Sequence, residues 1–300
     1  MIRWRSLGRI IDPKSQKVEW LRNYAGAACV RFIQEDHVKI LVTGRTSDNK
    51  SIIGEITIGL IPYPQIVDIT EHPVLSPGEL GCFDDCGVSY PWVVRTKTKE
   101  WLFFTGWTQT VHTPFQNALG LGLRNGDKYY RESKAPIMQR TNDEPFSIGS
   151  SCIHKDSNQW RMWYTCFESW NQNNSVIEPR YHIRNAWSKD GIDWERNGSI
   201  AIDSTFEEEC VARPSVSKTQ GGYKMFFCAR GESYRIGYAE SQDGINWEKP
   251  NDGFQFISSG KKWDDEMQCY PCHFVHNEQE YMFYSGNDYG RGGLGLAIKA

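Results

Sequence analysis

Five short, aromatic-rich segments of this chain can be laid over one another, and their recurrence constrains the fold more than any other feature. They are Val38-Lys-Ile-Leu-Val-Thr-Gly44, Trp101-Leu-Phe-Phe-Thr-Gly106, Trp160-Arg-Met-Trp-Tyr-Thr165, Tyr223-Lys-Met-Phe-Phe-Cys228 and Tyr281-Met-Phe-Tyr-Ser-Gly286. Each follows another apolar segment that opens on a proline or its counterpart: Ala28, Tyr90, Ser151, Pro214 and Pro271, at spacings of 62, 61, 63 and 57 residues. Each precedes a third, such as Ile52-Ile-Gly-Glu-Ile or Arg235-Ile-Gly-Tyr-Ala. Short strands at so regular a period form a radial array of small sheets, because one such unit cannot bury both of its faces alone. The expected fold is all-β: a five-bladed β-propeller of four-stranded antiparallel blades, with residues 1–300 as one domain.

Two repeats show how a blade ends. Ser188-Lys-Asp-Gly-Ile-Asp-Trp194 and Ser241-Gln-Asp-Gly-Ile-Asn-Trp247 place Asp-Gly turns ahead of a fourth strand. The fifth repeat reaches Ala300 after its third strand, and Trp4-Arg-Ser-Leu-Gly-Arg-Ile-Ile matches the spacing of the Trp194 strand. The N-terminal strand is therefore expected to close the last blade and remove its exposed edge.

Composition narrows the function classes. Hydrophobic residues at 39%, with 13% aromatic, exclude disorder. Thirty-four basic against 37 acidic residues leave a net charge of −3 and argue against a nucleic-acid partner. No apolar run is long enough to span a bilayer, and the arginines of Met1–Arg9 do not suit a signal peptide. Nine cysteines, an odd number without a secretory signal, fit a reducing cytoplasm. Cys269 and Cys272 have C-x-x-C spacing, but an extended segment turns such positions apart, so they read as buried thiols rather than zinc ligands. Neither metal nor cofactor is expected.

Strand direction puts the residues before strand one and the loops between strands two and three on one face, opposite the Asp-Gly turns. The segments Trp107–Asn117, with His112, and Phe167–His182, with Trp170, are the long loops there. Five residues before each strand-one anchor stand Asn23, Asp85, Phe146, Glu209 and Glu266, flanked by Asp84, Glu207, Glu208 and Asp265. Carboxylates around a channel suit glycosidic bond cleavage, in which one acid protonates the leaving oxygen and a second carboxylate activates water or attacks. Glu209 is the expected acid, Asp85 the base, and Glu266 the reserve for either; solvated loop acids are the alternative. Arg213, Arg230 and Arg291, with Arg45, suit an anionic sugar or sugar phosphate, or else pair with those acids. Trp107, Tyr270 and His182 complete the expected substrate contacts, with Trp107 and Trp170 as stacking platforms.

Ala212-Arg-Pro-Ser-Val216, the run from Tyr234 to Trp247, and Trp263-Asp-Asp-Glu-Met-Gln-Cys-Tyr-Pro271 with Gly286-Asn-Asp-Tyr-Gly290 carry a resemblance over nearly the whole chain. It resembles the five-bladed propeller glycoside hydrolases: family 43, the invertase-like family 32 and the β-mannoside phosphorylases. The resemblance implies an enzyme that cleaves or transfers a glycosidic bond, by an inverting route if Asp85 and Glu209 flank a water, in the setting of bacterial surface polysaccharides. Family 43 places its acids directly before the strand-one proline in blades one, three and four, where this chain has Ala27, Ser150 and Arg213. That triad is therefore not carried over. A non-catalytic propeller that binds a carbohydrate or a sugar nucleotide is the alternative.

Overall fold

A computed structural model describes residues 1–173, 176–205, 208–250 and 253–300. The chain opens on β1 (Ile2–Ile11) and then builds five units in turn. Blade one is β2 (Gly26–Gln34), β3 (His37–Arg45), β4 (Ser51–Gly59) and β5 (Gln65–Ile69); blade two is β6 (Gly87–Arg95), β7 (Glu100–Thr108), β8 (Gln116–Asn125) and β9 (Lys128–Arg131). Blade three comprises β10 (Ile148–Lys155), β11 (Trp160–Asn173), β12 (Val176–Ser188) and β13 (Ile200–Ile202). Blade four has β14 (Cys210–Thr219), β15 (Gly222–Arg230) and β16 (Tyr234–Ser241), followed by β17 (Phe254–Ile257). Blade five is β18 (Cys269–His276), β19 (Gln279–Ser285) and β20 (Leu294–Lys299), completed by β1. The architecture is the expected all-β five-bladed propeller. No helix among the described residues is long and apolar enough to cross a membrane.

β1 runs antiparallel to β20 from Trp4↔Lys299 to Ile11↔Leu294, so the N-terminal strand does complete blade five. Trp4 is fully buried there and packs edge-on against Phe226 of blade four at 5.3 Å. Blade four differs from the expected pattern at its edge. Glu248 bridges Glu240 as a fourth strand would, but Pro250 has no N–H to continue the ladder. β17 instead pairs in parallel with β1, Ile2 opposite Phe254.

Every inner strand carries a β-bulge near its start, at Gly26/Cys29, Ser89/Trp92, Gly149/Cys152, Ala212/Ser215 and Cys269/Cys272. At each bulge one residue adopts a left-handed backbone: Ala27 (φ 48°), Tyr90 (52°), Ser150 (38°), Arg213 (53°) and Tyr270 (55°). Such a conformation costs about 1–3 kcal/mol for a residue with a Cβ. A bond from the neighbouring blade holds each one. The backbone N–H of Ala27 donates to Ser285 Oγ, Tyr90 to Thr43 Oγ1, Ser150 to Thr105 Oγ1, Arg213 to Thr165 Oγ1 and Tyr270 to Cys228 Sγ, at 2.8–3.3 Å. Each acceptor is the Thr, Ser or Cys near the end of an aromatic repeat, and the five bonds close a ring around the axis. The bulge also explains the strand-one proline: a bulged residue is left unpaired, so Pro91, Pro214 and Pro271 forfeit nothing. In blade two the anchor is thus Pro91, one residue beyond the expected Tyr90.

Apolar wedges fill the contacts between blades, as with Val42, Ile52, Phe283 and Leu296 between blades five and one, or Phe103, Ile148 and Met162 between two and three. The glycine after the ring threonine or serine has a packing reason. A Cβ on Gly44 would lie 2.0 Å from the Trp20 carbonyl, one on Gly106 2.4 Å from the Phe83 ring, and one on Gly286 2.1 Å from the Trp263 carbonyl. All nine cysteines are free and seven are buried. Cys29 Sγ accepts from the Val93 N–H, and Cys152 Sγ from the Val216 N–H, which ties inner strands together. Cys269 and Cys272 are buried thiols, and no cluster suited to a metal ion occurs among the described residues.

Candidate functional site

The left-handed residues give the true phase of the repeat, and it relocates the acids. Six residues before them stand Leu21, Asp84, Glu144 and Asp264, all buried; Glu207, their counterpart in blade four, lies outside the described residues. The three acids, Asp84, Glu144 and Asp264, fasten blades two, three and five. Asp84 accepts from Arg131 Nε at 2.7 Å, and burial pushes its carboxyl above the usual range in spite of that arginine. Glu144 accepts from the Tyr164 hydroxyl at 2.5 Å and from Arg196 Nη1 at 2.6 Å, and Asp264 from the Tyr284 hydroxyl at 2.7 Å. The set expected to ring the channel therefore does not share one structural position. Asp85 accepts from the Gly81 N–H at 3.0 Å. Burial opposes its charge, but the hydrogen bonds from Thr108 and Gly81 outweigh it and hold the carboxyl below the usual range. Glu209 is exposed, with Oε2 3.9 Å from Arg230 Nη2. Asp85 and Glu209 line none of the three cavities that Arg45 lines on the strand-one face, whereas Glu266 lines one of them.

Three contiguous cavities occupy that face, and Arg45 and Asn49 line all of them. The middle one, of about 350 Å³, is a tyrosine funnel lined by Tyr24, Tyr90, Tyr270 and Tyr289. The left-handed bulge turns Tyr90 of blade two and Tyr270 of blade five inward until their hydroxyls meet at 3.1 Å, the rings edge-on at 5.2 Å. Burial raises the Tyr24, Tyr90 and Tyr270 hydroxyls, so they stay protonated and serve as donors. On one side lies a pocket of about 470 Å³ with Trp107, Phe115 and Cys86. Trp107 Nε1 donates to Ser51 Oγ at 2.7 Å, and the Arg45 guanidinium lies over the rings of both Trp107 and Tyr24. The segment expected as the long loop Phe167–His182 is a hairpin arm instead, β11 and β12 pairing out to Asn173↔Val176. Its Trp170 packs on Phe115 at 5.3 Å and buttresses this pocket.

On the other side is a cleft of about 1110 Å³ between blades five and one, lined by Glu266, Asp288 and several basic side chains, Arg291 among them. Asn287 builds it. Its Oδ1 accepts from the N–H groups of Glu266 and Met267, and its Nδ2 donates to the Lys262 carbonyl and Asp265 Oδ1. Asp288 and Tyr289 are both left-handed (φ 54° and 62°), strain of the kind that collects at functional sites. The side-chain carboxylates of Glu266 and Asp288 have no hydrogen-bond or ion-pair partner among the described residues.

The structure thus brings Trp107, Tyr270, Arg291 and Glu266 to one continuous surface. It places the remaining expected residues elsewhere. Arg213 is 0% exposed; its side chain crosses the axis from blade four, and Nη2 donates to the carbonyls of Ala28 and Pro91 at 3.0 and 3.1 Å. It lines none of the three cavities, and its Nε and Nη1 are buried without a hydrogen-bond partner among the described residues. Buried His182 accepts from Arg184 Nε at 2.8 Å, and burial holds its imidazole neutral by lowering its pKa. Arg230 donates to the Pro179 carbonyl and covers the Tyr234 ring. Tyr24 and Asn49 join the site unannounced, as do Tyr90, named in the sequence only as a strand-one anchor, and Asn287, Asp288 and Tyr289, named only within a motif. Only the Gly286–Gly290 motif and the proline after Tyr90 signalled them. A larger groove, of about 1400 Å³, lies on the Asp-Gly face between blades four and five. Its lysines are bridged: Lys224 and Lys299 to Glu280, Lys218 to Asp156 and Lys249 to Glu208.

No protein-family profile matches the chain. In solved structures the fold is shared with a protein described only as a glycoside hydrolase (TM-score 0.72, 18% identity, covering 98% of this chain and 90% of that one). It is shared too with a putative glycosidase from Bacteroides thetaiotaomicron (0.69, 14%, 98% and 92%). A third match is a structure from the GH130 family of mannoside phosphorylases, described as containing hydrolases that target β-1,2 mannosidic linkages in Candida mannan (0.66, 14%, 98% and 90%). Two Mycobacterium tuberculosis proteins, the uncharacterized Rv1502 (strain ATCC 25618 / H37Rv) and MT1551 (strain CDC 1551 / Oshkosh), are each 37% identical over 297 residues, 98% of this chain and 98% of theirs. The chain therefore belongs to the family of Rv1502 and MT1551, in the fold of the five-bladed propeller glycoside hydrolases.

Proposed function

We propose that this protein acts at a glycosidic bond of a saccharide bound across the tyrosine funnel. The observation that carries the reading is the continuity of the three cavities through Arg45 and Asn49: aromatic faces, neutral hydroxyl donors and two partnerless carboxylates share one trough. Sugar rings stack on aromatic faces, and their hydroxyls need donors that do not titrate near neutral pH. Glu266 and Asp288 are the carboxylates open to a ligand, and they take the acid and base roles expected of Glu209 and Asp85. Hydrolysis and group transfer both fit such a pair. Seven buried free thiols favour a reducing compartment, the cytoplasm.

A second reading, a propeller that only binds a carbohydrate or sugar nucleotide, is favoured by one observation: no left-handed inner-strand position carries an acid. Incubation with neutral and acidic oligosaccharides and with sugar nucleotides, followed by mass spectrometry, separates the two. Turnover is expected to fall about 10²-fold or more in Glu266→Gln and Asp288→Asn and to persist in Asp85→Asn. Binding without any product would leave the binding module standing and remove the enzyme.

A further inference from the structure

We infer that the cleft between blades five and one is a subsite for an oxyanion, so that the substrate is an acidic saccharide or a phosphate-bearing one rather than a neutral glycan. The inference rests on the funnel being a saccharide site and adds the substrate class. Lys14, Arg45, Lys261, Lys262 and Arg291 all line the cleft, and none has a carboxylate within 4.0 Å among the described residues. The other two cations there are compensated, Arg9 by Asp12 at 2.6 Å and Arg22 by Glu19 at 3.1 Å. Five unpaired cations thus face two unpaired carboxylates, Glu266 and Asp288, in a chain whose net charge is −3. This is the reverse of the opposite face, where every lysine lining the groove is bridged.

The placement is built as well as charged. Asn287 Nδ2 holds the Lys262 carbonyl at 3.0 Å, and the left-handed turn at Asp288 and Tyr289 carries the chain on to Arg291. Arg45 is oriented by donating Nη1 to the Asn49 carbonyl and Oδ1, at 3.0 and 3.1 Å, and by the rings of Tyr24 and Trp107 on either side. Arg45 and Arg291 line both cleft and funnel. A sugar in the funnel would therefore place a neighbouring carboxylate or phosphate against both guanidiniums, which suit either group. The lysines extend the field outwards as point charges.

The test is calorimetric titration of the intact protein with three probes: a neutral mannohexaose, a uronate hexasaccharide and UDP-glucose, each at 50 and 300 mM salt. At least one anionic probe is expected to bind ten times tighter than the neutral one at low salt, and to lose most of that margin at high salt. Which probe wins identifies carboxylate or phosphate as the source. Lys261→Ala/Lys262→Ala should remove the margin while leaving neutral binding and the melting temperature unchanged. Arg291→Ala, whose side chain also lines the funnel, should remove the margin too, with a smaller loss of neutral binding. Equal affinity for neutral and anionic probes, or an anionic margin that survives both variants, overturns the subsite and leaves the funnel reading intact. Failure of all three probes to bind overturns both.

Discussion

The side-chain oxygen of Asn287 accepts hydrogen bonds from the backbone N–H of Glu266 at 3.1 Å and of the next residue, Met267, at 2.9 Å. One amide thereby fixes the loop after β19 against the segment leading into β18, and it sets the two partnerless carboxylates beside the basic rim.

Replacing that amide should separate folding from function. Asn287→Ala leaves two backbone donors without their partner, at a cost of about 1–3 kcal/mol, and the melting temperature should drop by a few degrees. Saccharide affinity should fall about tenfold or more, since a small displacement of binding groups is costly. Calorimetry and thermal unfolding check both; an unchanged affinity would mean that Asn287 does not position the site.

The ring of bonds at the left-handed residues makes a second expectation. Thr105→Val and Thr165→Val keep the side-chain shape but remove the acceptors of the Ser150 and Arg213 N–H groups. Each should cost about 1–3 kcal/mol, because the buried donor is left unsatisfied. Chemical denaturation of the two variants reads this directly, and full stability in both would show that the ring does not hold the bulges.

Removal of residues 1–11 tests closure. It strips β1 from β20 and β17 together and uncovers Trp4's place against Phe226. An open edge of that length is a template for aggregation. The truncated chain should be insoluble or unfolded by circular dichroism, and a soluble, cooperatively melting product would refute the argument.

Much of this architecture is legible because the aromatic repeat and the ring it builds are the same residues: Thr43, Thr105, Thr165, Cys228 and Ser285 all sit near the ends of segments that superpose by eye. The site is less legible for a physical reason. A bulge shifts phase by one residue without changing composition, so Tyr90 reads as the anchor that Pro91 in fact provides, and Asp85, counted from it, falls out of phase with Glu209 and Glu266. Proximity to the strand start then points to Asp85 and Glu209, whereas the repeat reserves its acidic position for buried fasteners such as Asp84, Glu144 and Asp264. Arg213 misleads in the same way. A guanidinium next to a proline reads as a ligand contact until its side chain is seen crossing the axis to the carbonyls of Ala28 and Pro91.

Stability should be greatest on a plateau bounded by histidines below and by cysteines, then tyrosines, above. Burial lowers the pKa of His154, His182 and His273 in the folded chain. The unfolded chain therefore takes up protons first, near about pH 6.5, and stability present above that value is lost as pH falls towards the folded pKa values. Glu280, held well below the carboxylate range chiefly by its hydrogen bond to His273 and further by Lys224 and Lys299, adds a second loss below about pH 4.3. At the other end, burial raises the thiols of Cys152, Cys166, Cys210, Cys228 and Cys269 and the hydroxyls of Tyr24, Tyr90, Tyr234 and Tyr270. The unfolded chain thus releases protons first, from thiols above about pH 8.5 and from phenols above about pH 10, and stability falls again. Urea midpoints measured from pH 4.5 to 10.5 should trace this shape. In His154→Gln, whose amide can still donate to the Val216 carbonyl in place of Nε2, the decline between about pH 6.5 and 5 should be shallower than in the parent chain. A profile flat from pH 7 down to 5 would show that these imidazoles are as easily protonated folded as unfolded, against their burial.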